Sequence, residues 1–530
     1  MRDYIMTKYL LNRIVRGLLS VIIVVGIVMV MIYSCLDRNL VFSADPMYSK
    51  VKSNAKEVYM MQQWEKYGYV DYIPYADFLL DLKREGKIDQ TTYDEVVKIP
   101  YKADKAEGKT AEYMKQFQET MEKEGYKVIF KDAKMKGKTK KLADGGEPRL
   151  YAYKNVPLIN RLVKYIGGLI SVDNIHNVKE DIEGRGLKFT LRDPAYGGKK
   201  FSPAIMGTGT THKYLLYCDN QFPFIHQNLV NINLGKSYSI RQGIDVFQIM
   251  TDSQGSFVYS NVTFPTGNVQ QSADDLHSAT YMAGSLENGT PVVKANFVDD
   301  YTNVSTHKAG MSKVGYSFTI GIIATILSYL LAIPLGTYMA LRKDKLLDHL
   351  GTIYIVFIIA VPSLGYIFLF KALGGKMGLP TTFNMENPTW LMYVLPIISL
   401  ALPSIANLMK WLRRYMIDQM NSDYVKFARS GGLSESEIFK KHVLKNAIIP
   451  IVQGIPASVL GAMTGAIITE RVYVVPGAGN LLTNAISNYD NGVIVGMTLF
   501  YALLTVTSII LGDVLMSIMD PRISFTNKSR

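Results

Sequence analysis

Six apolar blocks separate the charged parts of the chain. They lie at roughly residues 14–36, 315–341, 350–371, 391–409, 449–469 and 491–518. Each block is close to the ~20 apolar residues that a membrane-spanning helix needs. Nearly all charged residues lie outside the blocks, so the pattern predicts a polytopic membrane protein with six transmembrane helices.

The first block follows several basic residues, as the core of a signal peptide would. It is longer than such a core, however, and the sequence "YSCLDRN" after it offers no cleavage site of small residues. We therefore expect residues 1–36 to form a short cytoplasmic N-terminus and a retained first transmembrane helix.

Basic residues next to the blocks predict the orientation of the chain, because lysine and arginine in short flanks stay on the cytoplasmic side. Six alternating spans bring all of the flanking basic groups to one side: Arg13 and Arg16; Arg342, Lys343 and Lys345; Lys410, Arg413 and Arg414; Arg522, Lys528 and Arg530. Both termini are then cytoplasmic and residues 37–312 form one extracellular domain. Residues 313–530 carry helices two to six, with a cytoplasmic loop at 410–448.

The long segment between the first two blocks has its own folding pattern. Runs such as "RLYAYKN", "LKFTLRD" and "GSFVYSNVTF" alternate apolar and polar residues, which is typical of strands, whereas residues 54–125 show apolar positions at helical spacing. The lysine-rich stretch at 127–149 reads as a solvated loop. The predicted fold class is an all-α membrane protein with a large inserted extracellular α+β domain.

Catalytic and metal-binding motifs are missing from the sequence. The Gly-Lys-Ser/Thr triplets lack the upstream glycine of a P-loop, and neither H-E-x-x-H nor G-x-S-x-G occurs. We expect no catalytic residue and no metal site. The net charge of +13 is concentrated at helix flanks, which favours topology control over nucleic-acid binding. Cys35 and Cys218 leave a disulfide open, although two buried thiols are the expectation.

A polar segment between the fourth and fifth blocks predicts a helix-turn-helix elbow, residues 421–450. "NSDYVKFARS" has the pattern of an amphipathic helix that Gly431 and Gly432 would end, and Ser434 with Glu437 forms a capping box for a second helix. From the residues alone, two interpretations stay open: an interfacial helix on anionic lipid, or an elbow that inserts into a groove of a cytoplasmic partner.

"DYVKFARSGGLSESEIFKKHVLKNAIIPIV" resembles the cytoplasmic coupling loop of bacterial ABC-transporter permeases of the dipeptide and oligopeptide branch. The match to that loop comprises Asp423, Tyr424, Val425, Ala428, Arg429, Gly432, Leu433, Lys445, Asn446, Ala447 and Pro450. Lys426 and Phe427 depart from the Glu-Ala of the broader family. Two later motifs of the branch are matched by Glu470, Pro476, Gly477 and Gly479 and by Asp513, Asp520, Pro521 and Arg522.

The resemblance extends to "KYLLNRIVRGLLSVIIVV" and "NINLGKSYSIRQGIDVFQIM", and the large insertion is similar to that of Ami-type oligopeptide permeases of streptococci. It implies an oligopeptide importer in a bacterial cell membrane, with a second homologous permease, two ATPases that bind ATP and Mg, and an extracellular lipid-anchored peptide-binding protein. This chain would need no cofactor of its own. Coupling to an ATPase would fall to Asp423, Tyr424, Ala428, Arg429, Gly432, Leu433, Ser434 and Glu437.

Other classes of protein explain less of the sequence. A membrane-anchored receptor would not need a capped cytoplasmic elbow, and a proton-coupled carrier would be expected to bury carboxylates, for which Asp513 is the main candidate. An ABC permease for nickel or another small solute shares the loop motifs. The large insertion favours peptides over these solutes.

Overall fold

The computed structural model describes residues 2–137, 141–221, 224–385, 389–463 and 467–519. The first helix, α1, runs from Arg2 to Cys35. Residues 37–312, called the inserted region below, hold all the strands and seven helices. The helices are α2 Ser53–Lys66, α3 Tyr75–Arg84, α4 Gln90–Val96, α5 Gly108–Lys123, α6 Leu158–Gly167, α7 Val246–Thr251 and α8 Pro291–Asn296.

Thirteen strands among the described residues form five antiparallel sheets. They are β1 Val70–Pro74, β2 Lys127–Lys131, β3 Arg149–Asn155, β4 Ile170–Val172, β5 Gly186–Thr190, β6 Ala204–Thr208, β7 Tyr214–Cys218, β8 Ile225–Gln227, β9 Val230–Ile232, β10 Ser260–Thr263, β11 Val269–Ser272, β12 Asp274–Thr280 and β13 Asn303–Thr306. The larger sheets have the orders β1-β3-β2 and β5-β6-β7-β8, and β4-β9, β10-β11 and β12-β13 are two-stranded.

The described residues of the inserted region therefore combine helices with antiparallel strands. Helices α3, α4 and α5 pack on the three-stranded sheet through fully buried side chains, including Leu79, Val96 and Phe117. The prediction of a loop at 127–149 is wrong for Lys127–Lys131, which is β2, because the apolar centre of "KVIFK" pairs with β3. Cys35 and Cys218 are free thiols; Cys35 is exposed and Cys218 is only partly buried, so the expectation of two buried thiols is wrong.

The described residues after 312 form helices joined by short connections. The helices are α9 Lys313–Leu341, α10 Leu346–Ala360, α11 Ser363–Lys376, α12 Leu391–Met420, α13 Asp423–Ser430, α14 Glu435–Ile438, α15 Leu444–Gln453, α16 Ile455–Met463, α17 Ile467–Tyr473, α18 Ala478–Ser487 and α19 Asn491–Met519. A π-helical turn, Phe439–Val443, joins α14 to α15. Within the described ranges, five helical stretches are long and apolar enough to cross a membrane, or six if α10 and α11 form one bent span.

Three predicted blocks differ from the helices that form. The block at 350–371 is bent by 109° between α10 and α11. Pro362 lacks an amide hydrogen and holds Val361 in an extended conformation, which ends α10. The fourth helix continues to Met420, so the start of the predicted loop 410–448 belongs to α12. The fifth block is interrupted at Gly454, between α15 and α16.

Candidate functional site

The elbow contains the turn that its sequence predicts. Helix α13 ends at Gly431, and Gly432 has a φ of +83°, a conformation that glycine adopts without steric cost. The capping box is present, since the Glu437 amide donates to Ser434 Oγ and the Ser434 amide donates to Glu437 Oε2, each at 3.3 Å. Together these contacts fix the direction in which α14 leaves the turn.

Ion pairs brace the elbow on its exposed side. The Arg429 guanidinium donates to both carboxylate oxygens of Glu435, at 2.5 and 3.0 Å, and so joins α13 to α14 across the turn. Lys426 donates to Asp423 at 2.9 Å within α13. The bond from Lys426 lowers the pKa of Asp423, and the Glu435 carboxylate raises the pKa of Arg429. Both helices of the elbow are therefore held as one unit at neutral pH.

The inner side of the elbow is part of a hydrophobic cluster. Val425, Ile438 and Val443 are at most 2% exposed. They pack with Leu412 and Met416 of α12, and with Ala340, Ala447 and Ile451 from α9 and α15. A force on the elbow would therefore reach three helices directly through close-packed side chains.

The outer side of the elbow exposes a group of large apolar side chains. Phe427 is 83% exposed, Tyr424 37% and Leu433 38%. Ala428, one of the predicted coupling residues, is partly buried against the inner cluster. Phe427 was not among the predicted coupling residues. The sequence could have indicated Phe427, because it is three residues after Tyr424 and so lies on the same face of a helix.

The Glu470 motif closes around a buried carboxylate. Ser317 of α9 donates its hydroxyl to Glu470 Oε1 at 2.6 Å, and the Asn480 amide donates to Oε2 at 3.1 Å. Ser317 Oγ also accepts from the Ala478 amide at 2.8 Å. A Cβ on Gly477 would collide with the Glu470 carboxylate. The motif therefore fixes the turn between α17 and α18 against α9.

The other motif residues lie at the end of the elbow or outside it. Asn446 is partly buried and Pro450 is exposed, both within α15, and Pro476 precedes α18 in the turn around Glu470. A Cβ on Gly479 would approach Ile467 to 2.9 Å. Asp513 forms an ion pair with Arg13 of α1, with 2.7 Å between the guanidinium nitrogen and the carboxylate oxygen. Asp520, Pro521 and Arg522 lie outside the described residues.

Asp348 and Arg413 form a second ion pair that the sequence analysis did not predict. The Arg413 guanidinium donates to both oxygens of Asp348, at 2.5 and 2.7 Å. Asp348 is only 2% exposed, so the pair ties α10 to α12 from a buried position. The sequence indicated only that Arg413 is one of the basic residues that flank the fourth apolar block.

Asp490 anchors the inserted region to the start of α19 and was also missed. Its carboxylate is fully buried and accepts from Ser237 Oγ at 2.7 Å and from the amides of Tyr238 and Ser239 at 3.0 and 2.9 Å. The Ser239 hydroxyl adds a bond at 3.1 Å, and the Val493 amide donates at 3.3 Å. These donors form a nest for an anion. Within the described ranges, no group of three or more His, Cys, Asp or Glu could hold a metal ion.

Comparisons with known proteins place this arrangement in a family. Residues 332–525 match the family model described as "Binding-protein-dependent transport system inner membrane component". The oligopeptide transport system permease protein AmiC of Streptococcus pneumoniae is 33% identical over 529 residues, which is 99% of each chain. The dipeptide transport system permease protein DppB of Lactococcus lactis subsp. cremoris is 32% identical over 42% of this chain and 73% of that protein.

Among solved structures, the MetNI methionine ABC transporter is similar over 39% of this chain and 94% of that chain, with 11% identity and a TM-score of 0.31. The family is shown by the relative that matches over the full length, including the inserted region. The chain therefore belongs to the oligopeptide-type permeases of ABC transporters.

Proposed function

We propose that the chain is one permease subunit of an ATP-driven oligopeptide importer in a bacterial cell membrane. It forms half of the translocation path and pairs with a second homologous permease. Two ATPase subunits hydrolyse ATP, and an extracellular lipid-anchored protein delivers the peptide, so this chain carries neither catalysis nor a cofactor. The full-length relative AmiC is an oligopeptide transport system permease protein, which supports an oligopeptide as the substrate.

The exposed apolar side of the elbow carries the proposal. Phe427 projects among the exposed charged residues Asp423, Lys426 and Arg429, and its 83% exposure leaves most of a phenyl ring in water unless a partner covers it. Apolar anchors of this kind in a polar rim are typical of protein interfaces. The elbow inserts into a groove of one ATPase through Tyr424, Phe427 and Leu433, and the inner cluster passes the motion to α9, α12 and α15.

We assign different tasks to the coupling residues of the sequence motif. Gly432, Ser434 and Glu437 set the turn, and Arg429 with Asp423 braces it through partners within the elbow. Ala428 keeps α13 close to the bundle. Tyr424 and Leu433 join Phe427 in the contact with the ATPase.

The proposed topology has six spans, with α10 and α11 counted as one bent span. Both termini and the elbow are cytoplasmic, and the inserted region is extracellular. The Arg13–Asp513 pair and the Asp490 nest lie at opposite ends of α19, which supports this orientation because the basic flanks gather at the Arg13 end.

Co-purification tests the docking role of the elbow. Phe427→Glu places a charge where an apolar anchor should be desolvated, so we expect the ATPases to be lost from a detergent pull-down of the tagged chain while the second permease remains. Tyr101→Glu is the matched control, because Tyr101 is 60% exposed on the inserted region. Full recovery of the ATPases with Phe427→Glu, by mass spectrometry, would contradict the docking role.

Thiol labelling of intact cells tests the topology. In a chain whose native cysteines are replaced, Lys115→Cys on α5 should react with a membrane-impermeant maleimide, and Lys426→Cys on α13 should react only after the cells are opened. Both lysine side chains are well exposed, at 76% and 66%, so accessibility within the protein is matched. The reverse labelling pattern would overturn the orientation.

A further inference from the structure

Helix α6 of the inserted region has two apolar sides, and only one of them is covered. Leu162 and Tyr165 pack against the cluster that contains α1 and α19. Ile159 and Val163 point away from it and are 74% and 65% exposed. No residue of α6 is fully buried, although its sequence "LINRLVKYIG" is mainly apolar.

The two-stranded sheet that follows α6 extends this uncovered surface. Ile170 lies opposite Ile232, and Val172 lies opposite Val230. Directly opposite residues of an antiparallel pair point to the same face, and these four side chains are 66%, 43%, 54% and 43% exposed in that order. Together with the two bare side chains of α6, which lie a few residues earlier in the chain, these four are called the apolar shelf: Ile159, Val163, Ile170, Val172, Val230 and Ile232.

Helix α6 lies beside the membrane-spanning part of α1 and not beyond its end. A Cβ on Gly26 would lie 3.5 Å from Leu162. Gly26 precedes the end of α1 at Cys35 by nine residues, which at 1.5 Å per residue is about 14 Å along the helix. Gly26 therefore lies within the uncharged run from Gly17 to Leu36.

A second contact docks α6 against α19. The Tyr165 hydroxyl donates to the Leu234 carbonyl at 3.2 Å, and Leu234 packs where a side chain on Gly496 would collide with it. Gly496 is more than one turn inside α19, which begins at Asn491. The shelf is thus carried by a helix that is docked on two spanning helices below their outer ends.

The charges of α6 point away from the shelf. The Arg161 guanidinium donates to the carbonyls of Tyr69 and Val156 at 3.0 and 3.1 Å, and Lys164 lies 3.6 Å from Asp71. The polar side of the helix therefore faces the inserted region and the apolar side is bare. A helix with a charged face, an apolar face and a neighbouring transmembrane helix has the features of an element at the membrane interface.

We propose that the apolar shelf is immersed in the lipid bilayer, at the boundary of headgroups and acyl chains, on the side of the membrane that carries the inserted region. The occupant is lipid because α1, against which α6 packs, is itself bare along Ile23, Ile27 and Met31, at 53%, 50% and 61% exposure. The shelf likewise contains no charge, and the packing of Leu162 and Tyr165 holds α6 beside α1. The inference needs α1 to span the membrane, but it requires neither the coupling role of the elbow nor the oligopeptide substrate.

Spin labelling tests the proposal in the assembled transporter. Val163→Cys, Val172→Cys and Ile232→Cys, each in a chain with Cys35→Ser and Cys218→Ser, are labelled with a nitroxide and reconstituted with the partner subunits into lipid nanodiscs. Power saturation then compares oxygen, which concentrates in acyl chains, with a neutral nickel chelate, which stays in water. Ile27→Cys is the lipid reference and Lys115→Cys the water reference.

Each outcome decides the proposal. Oxygen accessibility like that of Ile27→Cys, with nickel accessibility severalfold below that of Lys115→Cys at the three sites, supports immersion in lipid. High nickel accessibility at the shelf would place it in water and overturn the proposal. Low accessibility to both reagents would mean that a partner protein covers the shelf, which overturns it as well. Transport of peptide by the labelled transporter is scored separately, so failure of the proposed function is distinguishable.

Discussion

Replacing Asp490 by asparagine should loosen the inserted region from the membrane helices. The carboxylate accepts from Ser237, Tyr238 and Ser239 with no exposure to solvent. Asparagine keeps the shape but turns one acceptor oxygen into a donor. The serine hydroxyls can rotate away, whereas the backbone amides cannot, so at least one buried N–H loses its partner in either orientation of the new amide.

The structure sets the size of this effect. An unsatisfied buried donor costs about 1–3 kcal/mol, and hydrogen bonds to a charged acceptor contribute roughly 1.5–3 kcal/mol each. One lost bond and the weakening of the others give a loss of stability of about 2–5 kcal/mol. Since 1 kcal/mol shifts the Tm of a domain of 150–250 residues by about 2–4 °C, we expect Tm to fall by several degrees.

Thermal unfolding of the purified protein in detergent, followed by fluorescence-detected size exclusion, measures this loss. Asp81→Asn is the matched control, because Asp81 is 68% exposed and pairs only with Arg84 on the surface. We expect limited proteolysis to release the inserted region sooner in Asp490→Asn than in the control. A Tm equal to that of Asp81→Asn would refute the reasoning, since it would mean that the buried nest contributes no more than a surface pair.

Three further substitutions test other contacts. Gly432→Val forces a branched side chain into a φ of +83°, at a cost of about 1–3 kcal/mol, and should abolish peptide uptake while membrane levels of the chain stay normal; normal uptake would count against the elbow geometry. Gly477→Ala places a methyl group against the Glu470 carboxylate and should lower Tm, and an unchanged Tm would show that the turn has room to relax. Arg413→Leu leaves Asp348 buried without its cation, which should cost about 3–5 kcal/mol; a double variant that also carries Asp348→Asn should recover most of the lost Tm.

Local patterns were sufficient to predict helices α1, α9 and α19 and the turn of the elbow. Helices α1, α9 and α19 follow long apolar runs, and their ends agree with the blocks to within a few residues outside the extended N-terminus of α1. The capping box of Ser434 was predictable because its two partners are three residues apart. Strand β3 was predictable because the pattern of its own sequence, "RLYAYKN", is typical of a strand.

The effect of each proline on its helix could not be predicted from the local sequence. Pro334 stays inside α9, and Pro396 and Pro403 stay inside α12, while Pro362 separates α10 from α11 by a 109° bend. All four lie in apolar blocks, so the residue type alone does not separate a tolerated proline from a break. Packing of neighbouring helices decides whether the lost hydrogen bond is offset.

The sites that were missed depend on contacts between distant segments. Asp490 finds its donors about 250 positions earlier in the chain, and Asp348 finds Arg413 on another helix. Ala428 was one of the predicted coupling residues, but the orientation of α13 turns Phe427 outward. A helical repeat predicts that one side is apolar; it does not predict which side meets the bundle when both carry apolar residues.

The pairing of the first and last helices has a consequence for synthesis of the protein. Arg13 pairs with Asp513, and Gly17 lies against Val506. Because α19 is near the C-terminal end of the sequence, α1 enters the membrane long before this packing partner has been translated. The anchor at Asp490 also arrives late. A premature stop anywhere before α19 would leave both the first helix and the inserted region without their partners, and even short truncations that remove α19 should behave as complete losses of the subunit.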